Sequence, residues 1–536
     1  MSPPALVSAL LGPQAYPSEE RPQQVVLVET HISYLFLTGR HVYKVKKPVD
    51  FGFLDFTTLE KRKYFCHEEV RLNQRLSPGV YLDVVEIRGE GGRLTIGGQG
   101  LVVEYAVKMR QLPAHRAMSA LLARGQVDQD MVRRLASRIF AFHQQAERGP
   151  HIAAAGTVEA IKVSIDENFQ QTDRYIGVTL APHQYELVRA YSYAFMEGKR
   201  DLFSRRAREG FIRDCHGDLH TAQIFFEDGI SVIDCIEFNT RFRYIDVASD
   251  LAFLAMDLDF DGAHDLSRLL VETYQALSGD TGLADLLDFY RCYRAYVRGK
   301  VESFRLDQTG LPEPEGARVT ARAGSYFALA ARYAAMRPPY LILAFGLMGT
   351  GKSTLAGSLA KALGAEVINS DMVRKELAGV PPTVHRYEPW DTGIYTEEFT
   401  RRTYEEMLRR ASALIAKGRG VVLDASFSHH EQREAARALA AQCGVPFYSL
   451  CTHCPPSIVR ERLVARQQAS DTPSDGRWEL FERQVQSFDP PETDAIEVDT
   501  SVEPRQATYV ALAAVFKAYL QEPVSVSGER RRHALG

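Results

Sequence analysis

The run GLMGTGKS, from Gly346 to Ser353, fits the spacing G-x-x-x-x-G-K-[ST], with an apolar stretch before it and a helical one after. Those residue types suit anionic phosphate. Glycines let successive backbone N–H groups curl around oxygens, a lysine reaches the terminal phosphates, and a serine hydroxyl ligates Mg²⁺. Gly346, Gly349, Thr350, Gly351, Lys352, Ser353 and Thr354 are therefore the expected cradle for ATP, with Mg²⁺ on Ser353 and with Lys352 also acting in the chemistry. The helix that follows points its positive end at the same phosphates.

Beyond a second apolar run, EVIN, come Ser370 and Asp371 and then VRKELAG, which places Asp371 and Arg374 one helical turn apart on one face. An aspartate beside the outermost phosphate takes a proton from an attacking hydroxyl, and an arginine one turn on holds the acceptor or its phosphate. Asp424, closing the run GVVLDASF, is the expected partner of the Mg²⁺ and its water. In IVRERLVARQ, Arg462 and Arg466 share a helix face, with Arg460 nearby, and such arginines neutralise charge in phosphoryl transfer. The same spacing describes a solvated basic face.

A second constellation lies upstream. FIRDCHGDLHTAQIFF followed by SVIDCIEFN holds Asp218 in a His-Gly-Asp-Leu-His loop and Asp234 sixteen residues later, at the end of a short strand. Phosphoryl transfer uses one carboxylate at the acceptor hydroxyl and another on the metal, and these are the roles expected of Asp218 and Asp234. HVYKVKK puts Lys44 and Lys46 on one face of a strand, and HEEVRLNQRL puts Glu69 on the next helix; one lysine paired with that glutamate orients the α- and β-phosphates. The pattern does not choose between the two lysines.

The elements that position these groups are legible in outline. Residues 25–107 carry short β-patterned runs and one helical stretch from about Thr58 to Leu76, and residues 115–335 are mostly helical, interrupted by FIRDCHGDLH and by paired short strands around Asp228 and Gly229. From Tyr340 apolar strands alternate with amphipathic helices, the pattern of an α/β domain with a parallel sheet. Two prolines at Met336 to Pro339 stop the preceding helix, which sets the expected boundary: one domain over 1–335, with lobes of about 25–107 and 115–335, a second over 338–522, and a disordered tail over 523–536.

With 45% hydrophobic and 25% charged residues and no apolar run of spanning length, the expectation is a soluble cytoplasmic chain with no membrane partner. A net charge of −4 supplies no general attraction to nucleic acid. Seven scattered cysteines suit reduced thiols; Cys451 and Cys454 form a C-x-x-C with no second pair, and read as a strand end running into Pro455.

On GLMGTGKS, the Asp371 and Arg374 pair, the LDASF strand and the RERLVAR segment, residues 340 to about 520 resemble the P-loop small-molecule and polynucleotide kinases, among them AAA-type predicted kinases, gluconate kinase, zeta toxin and polynucleotide 5′-kinase. On HGDLH and the later IDxxE segment, residues 25–335 resemble the aminoglycoside phosphotransferase and choline kinase group, which implies an α+β protein-kinase-like fold. The whole arrangement looks like the bifunctional aminoglycoside phosphotransferase/ATP-binding proteins. Gln223 stands where that group's HGDLHxxN pattern has a metal-binding asparagine, so its amide oxygen sits one methylene further out. ETHISYLF lacks the glycines of a kinase lid, which leaves Ser33 or backbone amides to cover the phosphates, and Asp250 matches an aspartate that braces the catalytic loop.

The resulting expectation is a two-domain ATP-dependent phosphotransferase acting on a hydroxyl-bearing acceptor, with residues 150–210 and 379–395 forming the acceptor sites. Its alternatives are a nucleic acid 5′-hydroxyl kinase, and a P-loop kinase regulated by a catalytically inert N-terminal half.

Overall fold

The computed structural model describes residues 3–308, 310–381, 384, 391–467 and 476–521. The expected tail, and about half of the 379–395 acceptor segment, lie outside the described residues. The chain forms two compact units, one of Met1–Ser164 with Asp201–Ala295, the other of Ile165–Arg200 with Tyr296–Gly536. Among the described residues no helix is long and apolar enough to cross a membrane.

The first unit opens with six antiparallel strands, β1 (Val26–Glu29), β2 (Ser33–Leu37), β3 (His41–Lys46), β4 (Tyr81–Glu90), β5 (Arg93–Ile96) and β6 (Leu101–Arg110), in the order β1-β2-β3-β6-β4-β5. Strand β3 is buried along its whole length because both sheet faces are covered. Tyr43 and Val45 join a core with Leu10, Tyr16 and Phe36, whereas Val42 faces a second core with Cys66 of the helix Leu59–Asn73. That helix starts where the Thr58 hydroxyl accepts the amide of Lys61 at 3.2 Å. Period-two alternation then puts Lys44 and Lys46 on the helix side, and the register sets Ser33 opposite Lys46 and Leu35 opposite Lys44.

The rest of this unit is mainly helical. Its centre is the helix Val247–Phe260, buried from Val247 through Leu258. Two short antiparallel pairs carry the loops of interest: β7 (Ile212–Asp214) with β10 (Tyr244–Asp246), and β8 (Ile224–Phe225) with β9 (Ser231–Val232). The turn between β8 and β9 places Asp228 and Gly229 at φ of 50° and 115°.

The second unit holds a five-stranded parallel sheet of β11 (Leu341–Gly346), β12 (Glu366–Asn369), β13 (Val421–Asp424), β14 (Phe447–His453) and β15 (Ile496–Asp499), ordered β12-β13-β11-β14-β15. Central β11 is buried at every position. The glycine loop leaves its carboxyl end between β13 and β14, where a crevice opens in such sheets.

The boundary expected at 336–339 falls inside this second unit. The prolines do stop the helix Glu313–Ala334, but packing continues past them. The helix Pro182–Gly198 packs against both Glu313–Ala334 and the last helix, Pro504–Gln521. Tyr191 meets Phe516 edge-on with centroids 5.7 Å apart, Arg189 lies 4.2 Å from the Tyr509 ring, and Arg505 binds Glu186 at 2.8 Å. Phe516 is fully buried. Phe516→Ala should therefore destabilise the second unit by about 3–5 kcal/mol, the usual loss for a buried phenylalanine. A chain begun at residue 338 should lose at least as much. Urea unfolding measures both, and a truncated chain as stable as the full one would show that the helix Pro182–Gly198 contributes nothing.

Candidate functional site

The glycine loop has its shape because three positions take up left-handed backbone and two of them leave no room for a Cβ. Gly346, Gly349 and Gly351 have φ of 141°, 77° and 85°. A Cβ on Gly346 would sit 2.5 Å from the Thr452 carbonyl oxygen, and one on Gly349 would sit 2.8 Å from Val459. Thr350 is buried; its hydroxyl donates to Leu347 O at 2.7 Å and meets the Thr452 hydroxyl at 2.8 Å, while Thr500 donates to Thr350 O at 2.5 Å. Gly351 caps the helix Lys352–Leu363, and Ser353 and Thr354 are exposed in its first turn.

Lys352 curls over the loop and donates to Leu347 O at 2.8 Å. Burial pushes its pKa down; the carboxylates of Asp424 and Asp371 oppose the shift and the Arg466 charge adds to it. Four of the expected residues thus share one electrostatic neighbourhood. Asp424 is buried at the end of β13 and accepts from Asn369 Nδ2 at 2.6 Å. Asn369 also caps the helix Ser370–Leu377, its Oδ1 accepting the Met372 amide at 3.0 Å, and so fixes the first turn that carries half-buried Asp371.

The other arginines have different surroundings. Arg374 is buried, donates to Ile394 O at 2.7 Å and Thr400 Oγ1 at 3.0 Å, and keeps a buried Nε with no hydrogen-bond partner among the described residues. Arg462 donates to Thr500 O at 2.5 Å and lies beside Gly351, while Arg460 stacks over Trp478 at 5.7 Å. Cys451 is buried within β14 and both cysteines of the C-x-x-C are free thiols.

In the first unit, Lys44 Nζ lies 2.6 Å from Asp234 Oδ1 and 2.7 Å from Glu69 Oε1. Lys46 Nζ lies 2.6 Å from Glu69 Oε2, also pairs with Glu237, and sits 4.9 Å from the Phe56 ring. Burial works against charge throughout. The lysine ammoniums nevertheless hold Glu69 down at about 2, and Asp234 and Glu69 hold Lys44 well above its ordinary value, whereas burial wins at Glu237 and raises it. Gln223 Nε2 donates to Asp234 Oδ2 at 3.2 Å, and Asp234 itself has φ of 64°. Ser33 is buried, with no hydrogen-bond partner for its hydroxyl among the described residues.

The loop bearing Asp218 is tied to the same place. His216 Nε2 lies 3.0 Å from Ile233 O, next to Asp234, and His216 Nδ1 accepts the Asp218 amide at 3.3 Å. Asp250 accepts the amides of His216 and Gly217 at 3.0 and 2.9 Å and meets His143 Nε2 at 3.1 Å. Sequence reasoning gave no role to Asn369, Thr452, Thr500, Gln484 or Glu237. Asn369 had a local signal as a cap residue directly before a helical run, and Glu237 is the glutamate of the IDxxE segment; Thr452, Thr500 and Gln484 act on partners distant in the chain.

Residues 341–491 match the family described as AAA domain. Over 439 residues the chain is 34% identical to the uncharacterized protein Rv2004c of Mycobacterium tuberculosis, and equally to Mb2027c of Mycobacterium bovis, covering 82% of this chain and 85% of each relative. Among solved structures, a gluconokinase from Sinorhizobium meliloti 1021 aligns at 21% identity over 37% of this chain and 99% of its own, with a TM-score of 0.26. The Mycobacterium tuberculosis APS kinase CysC, in complex with AMPPNP and APS, aligns at 18% over 33% and 99%, with a TM-score of 0.25. Scores of that size carry no argument about this chain, and the P-loop assignment rests on the loop geometry and the AAA match.

The depressed Asp250 carboxyl makes stability pH-dependent. Its pKa falls to about 2 because the hydrogen bond and charge of His143, with the charges of His216 and Arg294, outweigh the burial that would raise it. Its contribution is present above the ordinary carboxylate range and is lost as pH falls from about 4 toward 2, a change of about 2 kcal/mol. Asp250→Asn should flatten that part of the urea-unfolding profile; an unchanged slope would show that Asp250 is not the titrating brace.

Proposed function

The chain belongs to the family of the mycobacterial relatives just described, and from the geometry of its loop we propose an ATP-dependent phosphotransferase that moves the γ-phosphate to a hydroxyl acceptor. The observation that supports this reading most directly is the convergence on Lys352: a glycine loop whose shape excludes side chains, with Asp371 and Asp424 both acting on the lysine's charge. The loop amides and Lys352 bind the phosphates, and Arg466 adds positive charge beside them. Asp371 takes the proton from the acceptor oxygen as the bond to phosphorus forms and the bond to the β-phosphate oxygen breaks. Ser353 and Asp424 offer the hard oxygen donors that Mg²⁺ takes, and the ion when bound neutralises the phosphate charge.

Incubating the full chain with γ-labelled ATP, Mg²⁺ and a panel of sugars, amino alcohols, nucleotides and 5′-hydroxyl oligonucleotides tests the reading. Lys352→Ala should nearly abolish transfer to the C-terminal acceptor. Asp371→Asn should leave ATP affinity within a few-fold and lower transfer by about a hundredfold or more, as for a missing general base. If affinity falls in proportion, Asp371 is not the base. Labelling of the oligonucleotide alone would favour nucleic acid end repair.

The first unit supports a second phosphotransferase site of protein-kinase-like type. The specific observation is that Lys44 bridges Glu69 and Asp234, while Lys46 is enclosed with Glu69 and Glu237. On this reading Lys44 is the phosphate lysine, Asp218 the base, and Asp234 with the Gln223 amide oxygen the metal donors, after the amide turns over. Gln223→Asn should preserve or raise transfer by this unit and Asp234→Ala should abolish it. Nucleotide binding that survives Asp218→Ala, with no acceptor labelled, would instead mark a regulatory unit.

A further inference from the structure

The helices Pro456–Gln467 and Trp478–Ser487 pack on the first half of the glycine loop. Leu347 and Met348 sit against Val459, Leu463, Phe481 and Trp478. Into this apolar contact the second helix sends a single buried amide, Gln484. Its Oε1 accepts the Met348 N–H at 2.7 Å and its Nε2 donates to Ser426 Oγ at 3.0 Å. The orientation of the amide is dictated, since a peptide N–H only donates and the carbonyl oxygen must face it. Ser426 lies two residues past Asp424, and its own carbonyl accepts the Gly346 N–H at 3.3 Å.

One side chain therefore ties the loop to the segment that leaves the strand carrying Asp424. We infer that Gln484 is a positioning residue for the phosphate site. It holds the Met348 peptide turned toward the helix, so that the loop is shaped before nucleotide arrives, and it links that shape to the carboxylate at the end of β13. The inference rests on the nucleotide reading above. An apolar residue at this position takes away the acceptor of the partly buried Met348 N–H, and that peptide then turns to find another. A carboxylate at this position keeps both bonds, because it accepts from the Met348 amide and from a rotated Ser426 hydroxyl, but it brings negative charge to the phosphates.

Calorimetric titration of the full chain with ATP, with and without Mg²⁺, tests this on wild type, Gln484→Met, Gln484→Glu and Lys352→Ala, read on the Lys352-dependent isotherm. Gln484→Met should weaken Mg-ATP binding by about tenfold or more and reduce the affinity gained on adding Mg²⁺. Gln484→Glu should keep the wild-type unfolding midpoint yet lose more affinity for free ATP than for Mg-ATP. If Gln484→Met does not fold, Gln484→Glu alone decides. Both variants binding within twofold of wild type, while Lys352→Ala loses binding, would overturn the inference and leave the phosphate site standing. Wild-type protein with no Lys352-dependent binding would remove the site and the inference together.

Discussion

Phosphate charge is held by converging backbone N–H groups, and convergence requires a chain bent so tightly that side chains do not fit. In this protein the constraint falls on Gly346, Gly349 and Gly351, and most of the second unit is arranged around it. Strand β14 brings Thr452 within 2.5 Å of where a Gly346 Cβ would be, the helix Pro456–Gln467 brings Val459 and Leu463 against Gly349, and the chain after β15 brings Thr500 against Gly351. The neighbours come from a strand, the helix that follows it and the segment after β15. The loop is thus tightened by the parallel architecture as well as by its own glycines, and the order β12-β13-β11-β14-β15 is what sets β14, and the chain that follows it, beside the loop.

The first unit meets a different constraint, that of keeping charge out of water. Lys46 and Glu69 are fully enclosed, and a buried ion is tolerated only when partners and geometry offset its desolvation. Glu69 serves two lysines, one through each oxygen, and this follows from β3 presenting Lys44 and Lys46 on the face that meets the helix Leu59–Asn73. The sharing also separates the lysines. Lys46 is closed off between Glu69 and Glu237, while Lys44 reaches Asp234, whose side chain is 41% exposed. On the proposed reading, the inner pair holds the sheet, the helix and the segment after Asp234 together so that the outer lysine is presented.

Much of the fold was legible because it follows from local rules. The glycine-lysine spacing, the Ser370–Leu377 turn carrying Asp371 and Arg374, and the β8–β9 turn at Asp228 and Gly229 each depend on residues a few positions apart. The roles of the arginines were less legible. Helical spacing put Arg374 on the face of Asp371, but did not show that its guanidinium is buried against Ile394 and Thr400. Arg460, Arg462 and Arg466 share one helix yet meet Trp478, Thr500 and the field of Lys352 respectively, because neighbouring positions on a helix point in different directions.

By itself the sequence determined the chemistry on offer: a phosphate cradle, carboxylates at strand and helix ends, and two lysines alternating along one strand. These are consequences of residue type and of the periods of helix and strand, which a short window contains. Tertiary structure alone decided which lysine is enclosed, which arginine lies near Lys352, and that Gln484 and Thr500 brace a loop more than 130 residues before them. It also decided that the helix Pro182–Gly198 packs on the last helix across the proline stop at 338–339. Such pairings depend on where apolar faces find complementary faces, and burial is a property of the assembled unit that no local window holds.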